Sequence, residues 1–175
     1  MQKLIGSCMI IIATTSFGFT FISEYKKRLN TLIKLVSLFT SFRNEISYNL
    51  EELSNVCINV SKIDTEKNSE VNLFFHNIGS GLKSKETSNM KQLWKAQVYF
   101  LAKKTKMTKQ DTDKLILLGE TIGGQDINHQ LSRINLYIDS VNNDIEILTK
   151  EYEKIQKLYT SLGIIAGLFI TILLV

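Results

Sequence analysis

Proline is absent from this chain of 175 residues, where a typical usage of about 5% would supply roughly nine. Without proline nothing removes a backbone donor or clashes with a preceding carbonyl, so long helical ladders are free to form. Arginine is scarce as well: Arg28, Arg43 and Arg133 stand against 18 lysines, within a net charge of +4. Lysine is a strongly hydrated point charge, whereas nucleic-acid grooves favour arginine forks with interleaved aromatics, so no nucleic-acid binding is expected. There are two cysteines, Cys8 and Cys57, too far apart in sequence to suggest a disulfide framework. The two histidines, His76 and His129, have no cysteine or carboxylate at metal-ligand spacing. Phosphate-binding Gly-Lys-Ser/Thr loops and Gly-x-Ser-x-Gly elbows are missing too. The sequence therefore implies no enzyme, no metal and no cofactor.

Apolar residues gather at the two ends and charged ones between them. Leu4 to Ser23 is a run of twenty residues without a charge, enough to span a hydrocarbon core of roughly 30 Å. A cleaved signal peptide is the rival reading, and Ile5-Gly6-Ser7-Cys8 superficially resembles a lipoprotein box. The length of the run, the lack of an Ala-x-Ala site and the helical pattern continuing beyond it favour an uncleaved anchor. Leu158 to Val175 is a second uncharged run, eighteen residues long and about 27 Å as a helix. The expected organisation is a transmembrane helix over 1–23, a helical domain over 24–157 and a second transmembrane helix over 158–175. Lys26, Lys27, Arg28, Lys34 and Arg43 follow the first run, and Lys150, Lys154 and Lys157 precede the second. The positive-inside rule then places the middle domain in the cytoplasm from both ends.

Six helices are predicted between the anchors, starting near Glu24, Asn49, Ser69, Asn89, Thr108 and Asp126. Gly79-Ser80-Gly81 and Gly123-Gly124 read as helix stops. Thr108, with Asp111 three residues on, reads as an N-cap. The last helix is the most regular. From Ile127 to Leu162 its apolar residues recur at alternating steps of four and three: Ile127, Leu131, Ile134, Ile138, Val141, Ile145, Leu148, Tyr152, Ile155, Tyr159 and Leu162. That is a single stripe of period 3.5 leading directly into the second uncharged run. Asn128, Asn135, Asn142, Thr149 and Gln156 lie on one flank, and Gln130, Tyr137, Asp144, Glu151 and Leu158 on the other. Such flanks cannot form interchain salt bridges, so the stripe is expected to pack against the chain's own first helices. Homo-oligomer assembly is the second possibility. The lysine run from Lys91 to Lys114 reads as a solvated helix face, its alternative being a dock for an acidic partner or anionic lipid headgroups. Glu51-Glu52 reads as a solvated face as well.

Leu118-Gly119-x-Thr121-x-Gly123-x-x-Asp126-x-x-x-Gln130 precedes this long helix and the terminal apolar run. With that motif, the Tyr159-x-x-Leu162-Gly163 entry to the final run and the basic helix after the first run, the chain resembles the stage III sporulation protein AB family. The resemblance is specific from about Gly119 to Val175 and concerns layout elsewhere. It implies an all-α fold: a six-helix bundle like the cytoplasmic domain of type II secretion F proteins, flanked by the two transmembrane helices. It further implies a place in the mother-cell membrane facing the forespore, among other stage III sporulation membrane proteins, with a secretion-type ATPase as cytoplasmic partner. Gly119, Thr121, Gly123, Asp126 and Gln130 are the motif residues it carries over. Physically they suit a tight turn at Gly123-Gly124, a cap from Asp126 and a tie from Gln130 back toward the fifth helix. A membrane signalling or sensor module is the alternative reading of the chain.

Overall fold

The computed structural model describes residues 2–48, 51–63, 69–84, 89–124 and 126–174, with side chains from Ile22 to Tyr159 and at several positions beyond. Those residues form six helices and no strand: α1 (Gln2–Tyr48), α2 (Leu53–Val60), α3 (Glu70–Ser84), α4 (Met90–Thr105), α5 (Lys109–Gly119) and α6 (Ile127–Leu174). α1 and α6 each continue unbroken through a terminal uncharged run, as the continuous helical pattern implies. The chain clusters into two compact units, one of Met1–Leu29 with Glu146–Val175 and one of Asn30–Ile145.

In the larger unit α1 buries Leu32, Leu35, Leu38, Phe39 and Phe42, a set of three- and four-residue steps that lines one helix face. Phe39 is fully enclosed. Its ring meets Phe75 of α3 at 5.1 Å, Trp94 of α4 at 6.2 Å and Tyr137 of α6 at 5.0 Å. Phe74 packs edge-on against both Phe75 and Trp94. Edge-to-face contacts of this kind add about 0.5–1.5 kcal/mol each beyond the area they bury. Four helices are therefore joined through one aromatic cluster.

Local chemistry sets the helix starts. The Ser69 hydroxyl accepts from the Asn72 amide at 3.2 Å ahead of α3. Asn89 accepts from Lys91 N–H at 3.1 Å ahead of α4. Thr108 and Asp111 form a reciprocal capping box on α5, with the Thr108 amide donating to Asp111 Oδ2 at 2.8 Å. Between α4 and α5 the turn is only three residues long, and it places Lys106 in the left-handed region at φ 61°.

One expectation fails in an informative way. Gly79-Ser80-Gly81 does not end α3, which continues to Ser84. A Cβ on Gly79 would lie 2.7 Å from both Ile58 Cγ1 and the Ser54 carbonyl of α2. The glycine serves close approach of two helices, not termination. Beside it Cys57 is fully buried, and burial pushes its thiol up to about 12.

In the smaller unit Ile22, Leu29 and Leu148 are buried. Lys150 pairs with Glu146 one turn away at 2.6 Å and holds its exposed carboxyl below the usual range. Farther along α6, Leu158, Leu162, Ile165, Phe169 and Ile172 stand exposed. Among the described residues no helix is long and apolar enough to cross a membrane. Most of the two uncharged runs, however, lies outside the residues whose side chains are described.

Replacing Gly79 by valine forces α2 and α3 apart. The expected cost is about 2 kcal/mol or more, measured as a lower urea midpoint; an unchanged midpoint would mean that the helices do not pack at this separation.

Candidate interaction site at the α5–α6 junction

The indole of Trp94 lies across the end of α5 and donates from Nε1 to the Leu115 carbonyl at 2.8 Å. A Cβ on Gly119 would come within 2.1 Å of Trp94 Cδ1, so glycine alone admits the ring. The chain then turns. Thr121 donates its hydroxyl to the Leu118 carbonyl at 2.8 Å, and Gly123 takes φ 85°, a conformation that costs an L-residue with a side chain.

Gln130 closes the turn from the first part of α6. Its Nε2 donates to the Gly124 carbonyl at 2.6 Å, and its Oε1 accepts from the Gly123 amide at 3.2 Å. Asp126 accepts from the His129 amide at 3.2 Å, meeting one of the free donors at the helix start. Gly119, Thr121, Gly123, Asp126 and Gln130 thus fall within a single turn. Gln130 ties that turn and not α5 itself. Beside the turn is a cavity of about 330 Å³ lined by Ile46, Leu53, Val56, Gly123, Ile127 and Gln130, with Glu51 and Gly124 at its edge.

The bundle buries the predicted stripe of α6 at Ile134, Ile138 and Val141, and the buried face extends from it onto one flank. Ile127 is 42% exposed, while Gln130 and Tyr137, both on the expected flank, are buried. Asp144 on the same flank ion-pairs with Lys114 of α5. On the other flank Asn135 accepts from Arg43 of α1 at 3.0 Å. Both flanks are thus used within the chain, where the period of 3.5 alone marks them as solvent-facing. The excess of amides over charges on one flank was the available signal.

Between α5 and α6 a groove of about 160 Å³ is lined by Leu117, Leu118, Leu136, Tyr137 and Ser140, with Lys114 and Arg133 at its rim. Leu117 and Leu136 are 59% and 58% exposed. Burial first, and the Asp111 and Asp144 carboxylates second, raise the Tyr137 phenol well above its usual value. Among the described residues no group of three or more His, Cys, Asp and Glu is placed to hold a metal ion. His76 and His129 are exposed on α3 and α6. The arrangement offers a shaped apolar surface with Arg133 beside it and a clasped turn next to it.

The family model for stage III sporulation protein AB matches residues 3–175. The chain is similar to stage III sporulation protein AB of Bacillus subtilis (strain 168), with 26% identity over 174 residues and 99% of each chain covered. A solved structure of a stage III sporulation protein AB shares the fold at a TM-score of 0.64 and 18% identity, covering 73% of this chain and 97% of that one.

Two outcomes follow from the junction. Gly119→Ala drives a methyl into a rigid indole and is expected to destabilise the bundle by about 2–3 kcal/mol, detectable in chemical denaturation; wild-type stability would mean Trp94 is not seated there. The second concerns alkali. An unfolded chain ionises its cysteine thiols near pH 8.5 and its phenols near pH 10, whereas folded Cys57 and Tyr137 keep their protons. Stability is full below those values and falls above them, by up to about 1.4 kcal/mol per pH unit for each group. Tyr137→Phe should remove the steeper decline above pH 10, and identical alkaline slopes in the two proteins would refute a protonated, buried phenol.

Proposed function

The chain belongs to the stage III sporulation protein AB family, and from that premise we propose that it is a non-enzymatic, membrane-anchored assembly component in endospore formation. In this reading its helical bundle is cytoplasmic and docks a secretion-type ATPase, as part of a secretion-like apparatus in the mother-cell membrane facing the forespore. Other stage III sporulation membrane proteins are its neighbours there.

The observation that carries the docking reading is the groove between α5 and α6. Two leucines from adjacent helices, Leu117 and Leu136, stand more than half exposed over a concave surface. Large apolar side chains grouped in this way mark a surface that a partner covers. Arg133 at the rim suits a partner with carboxylates around an apolar centre, since charge complementarity selects the partner more than it adds affinity. The clasped turn 119–130 holds α5 and α6 in the register that shapes the groove.

Two features support the anchors. Leu158, Leu162, Ile165, Phe169 and Ile172 form a row of exposed apolar side chains at alternating steps of four and three. In water such a row is costly, at about 25 cal/mol per Å² of apolar surface; in lipid it is at home. The lysines just inside each uncharged run set the same orientation at both ends.

The test is capture of purified secretion-type ATPases by the full-length chain in detergent. The wild-type chain is expected to retain the ATPase, and Leu117→Asp with Leu136→Asp to weaken retention about tenfold or more, as loss of a central contact does. Undiminished capture by the double variant would remove the groove from the docking surface, and no capture by the wild type would remove the docking itself.

A further inference from the structure

α4 carries no acidic residue, and its outward face is built from a narrow set. Lys91, Lys95, Tyr99 and Lys103 follow one another at four-residue steps, and Gln92, Ala96, Phe100 and Lys104 form the adjacent row; all eight are exposed. Tyr99 and Phe100 keep 54% and 48% of their surface in solvent, and the Lys104 ammonium lies 5.8 Å from the Phe100 ring centroid. Among the described residues none of the four lysines makes an ion pair. An ordinary solvated helix face interleaves both signs and pairs them along the helix. This one has a single sign, with two aromatic rings between the charges.

We propose that the outward face of α4 lies against an anionic lipid surface. The composition discriminates between the candidate occupants. Protein interfaces are enriched in arginine and depleted in lysine, and this face has four lysines and no arginine. Aromatic rings with a polar surround sit at the headgroup level of a bilayer, and juxtamembrane lysines are attracted to anionic headgroups. Each lysine near such a surface is worth about a fivefold change in partitioning. The attraction is electrostatic and weak per residue, so a domain already tethered to the same membrane gains most from it; in that respect the inference rests on the anchors proposed above. Lys62 and Lys83, exposed elsewhere in the same unit, provide internal controls because they share neither the spacing nor the aromatics.

The experiment uses the full-length chain with vesicles of phosphatidylcholine alone and of equimolar phosphatidylcholine and phosphatidylglycerol. Lysine acylation is followed residue by residue with mass spectrometry. Acylation of Lys91, Lys95, Lys103 and Lys104 should slow about fivefold or more in the anionic vesicles, while Lys62 and Lys83 hold their rates, and molar salt should abolish the difference. Equal rates at the four lysines in the two lipids overturn the proposal. So does protection that arises only with added polyglutamate, which would assign the face to an acidic protein. Flotation with phosphatidylcholine vesicles reads the anchors separately: a chain that does not float loses its anchors, while the comparison at α4 still stands or falls on its own.

Discussion

Everything in the larger unit depends on the ring of Phe39 being enclosed. Among the described residues it is the one side chain that touches aromatic partners on α3, α4 and α6 together, and α1 presents it from its buried face. A phenyl group has no polar atom to satisfy, so it can sit at the centre without a compensating network. Its edge-to-face geometry still gives the packing direction. Truncating such a group costs about 3–5 kcal/mol, a large share of what a domain of this size has to lose.

From that centre the order of events runs outward. Phe39 and Phe74 position Trp94, and Trp94 rests on Gly119. That contact fixes where α5 ends, and Gln130 then closes the turn into α6. The groove lies at the edge of these contacts: Leu118 and Tyr137 form its buried floor, while their neighbours Leu117 and Leu136 remain exposed. Binding surfaces built on rigid elements in this way hold their shape without a ligand.

How much of this was legible beforehand varied with the kind of signal. The helices, the Thr108 capping box and the lengths of α1 and α6 follow from patterning and cap chemistry, which are local. The motif Gly119 to Gln130 was recognisable, and a turn at Gly123 could be argued from glycine alone. That Gly119 is a seat for Trp94 could not, because the two are 25 positions apart and no spacing rule links them. Gly79 was misread for a similar reason: a glycine in a helix can end it or admit a neighbour, and only the neighbour at Ser54 and Ile58 decides. The buried face of α6 was legible at Ile134, Ile138 and Val141 but was read too narrowly. A stripe scored by apolar residues passes over Gln130 and Asp144, whose places are set by a backbone clasp and a lysine on another helix. The anchors lie mostly on residues without described side chains, so they rest on composition.

The eight residues of α2 have a different standing from the rest of the bundle. A helix of two turns has almost no stability of its own, and α2 is held through Val56, Cys57 and Val60 and its close approach to Gly79. Leu53 and Val56 also form a wall of the cavity beside the clasped turn. The cavity thus has one wall that is held in place by tertiary packing and not by helix propensity. The room beside Gly123 is therefore shaped from a distance, by the glycine at position 79 that lets α2 settle onto α3.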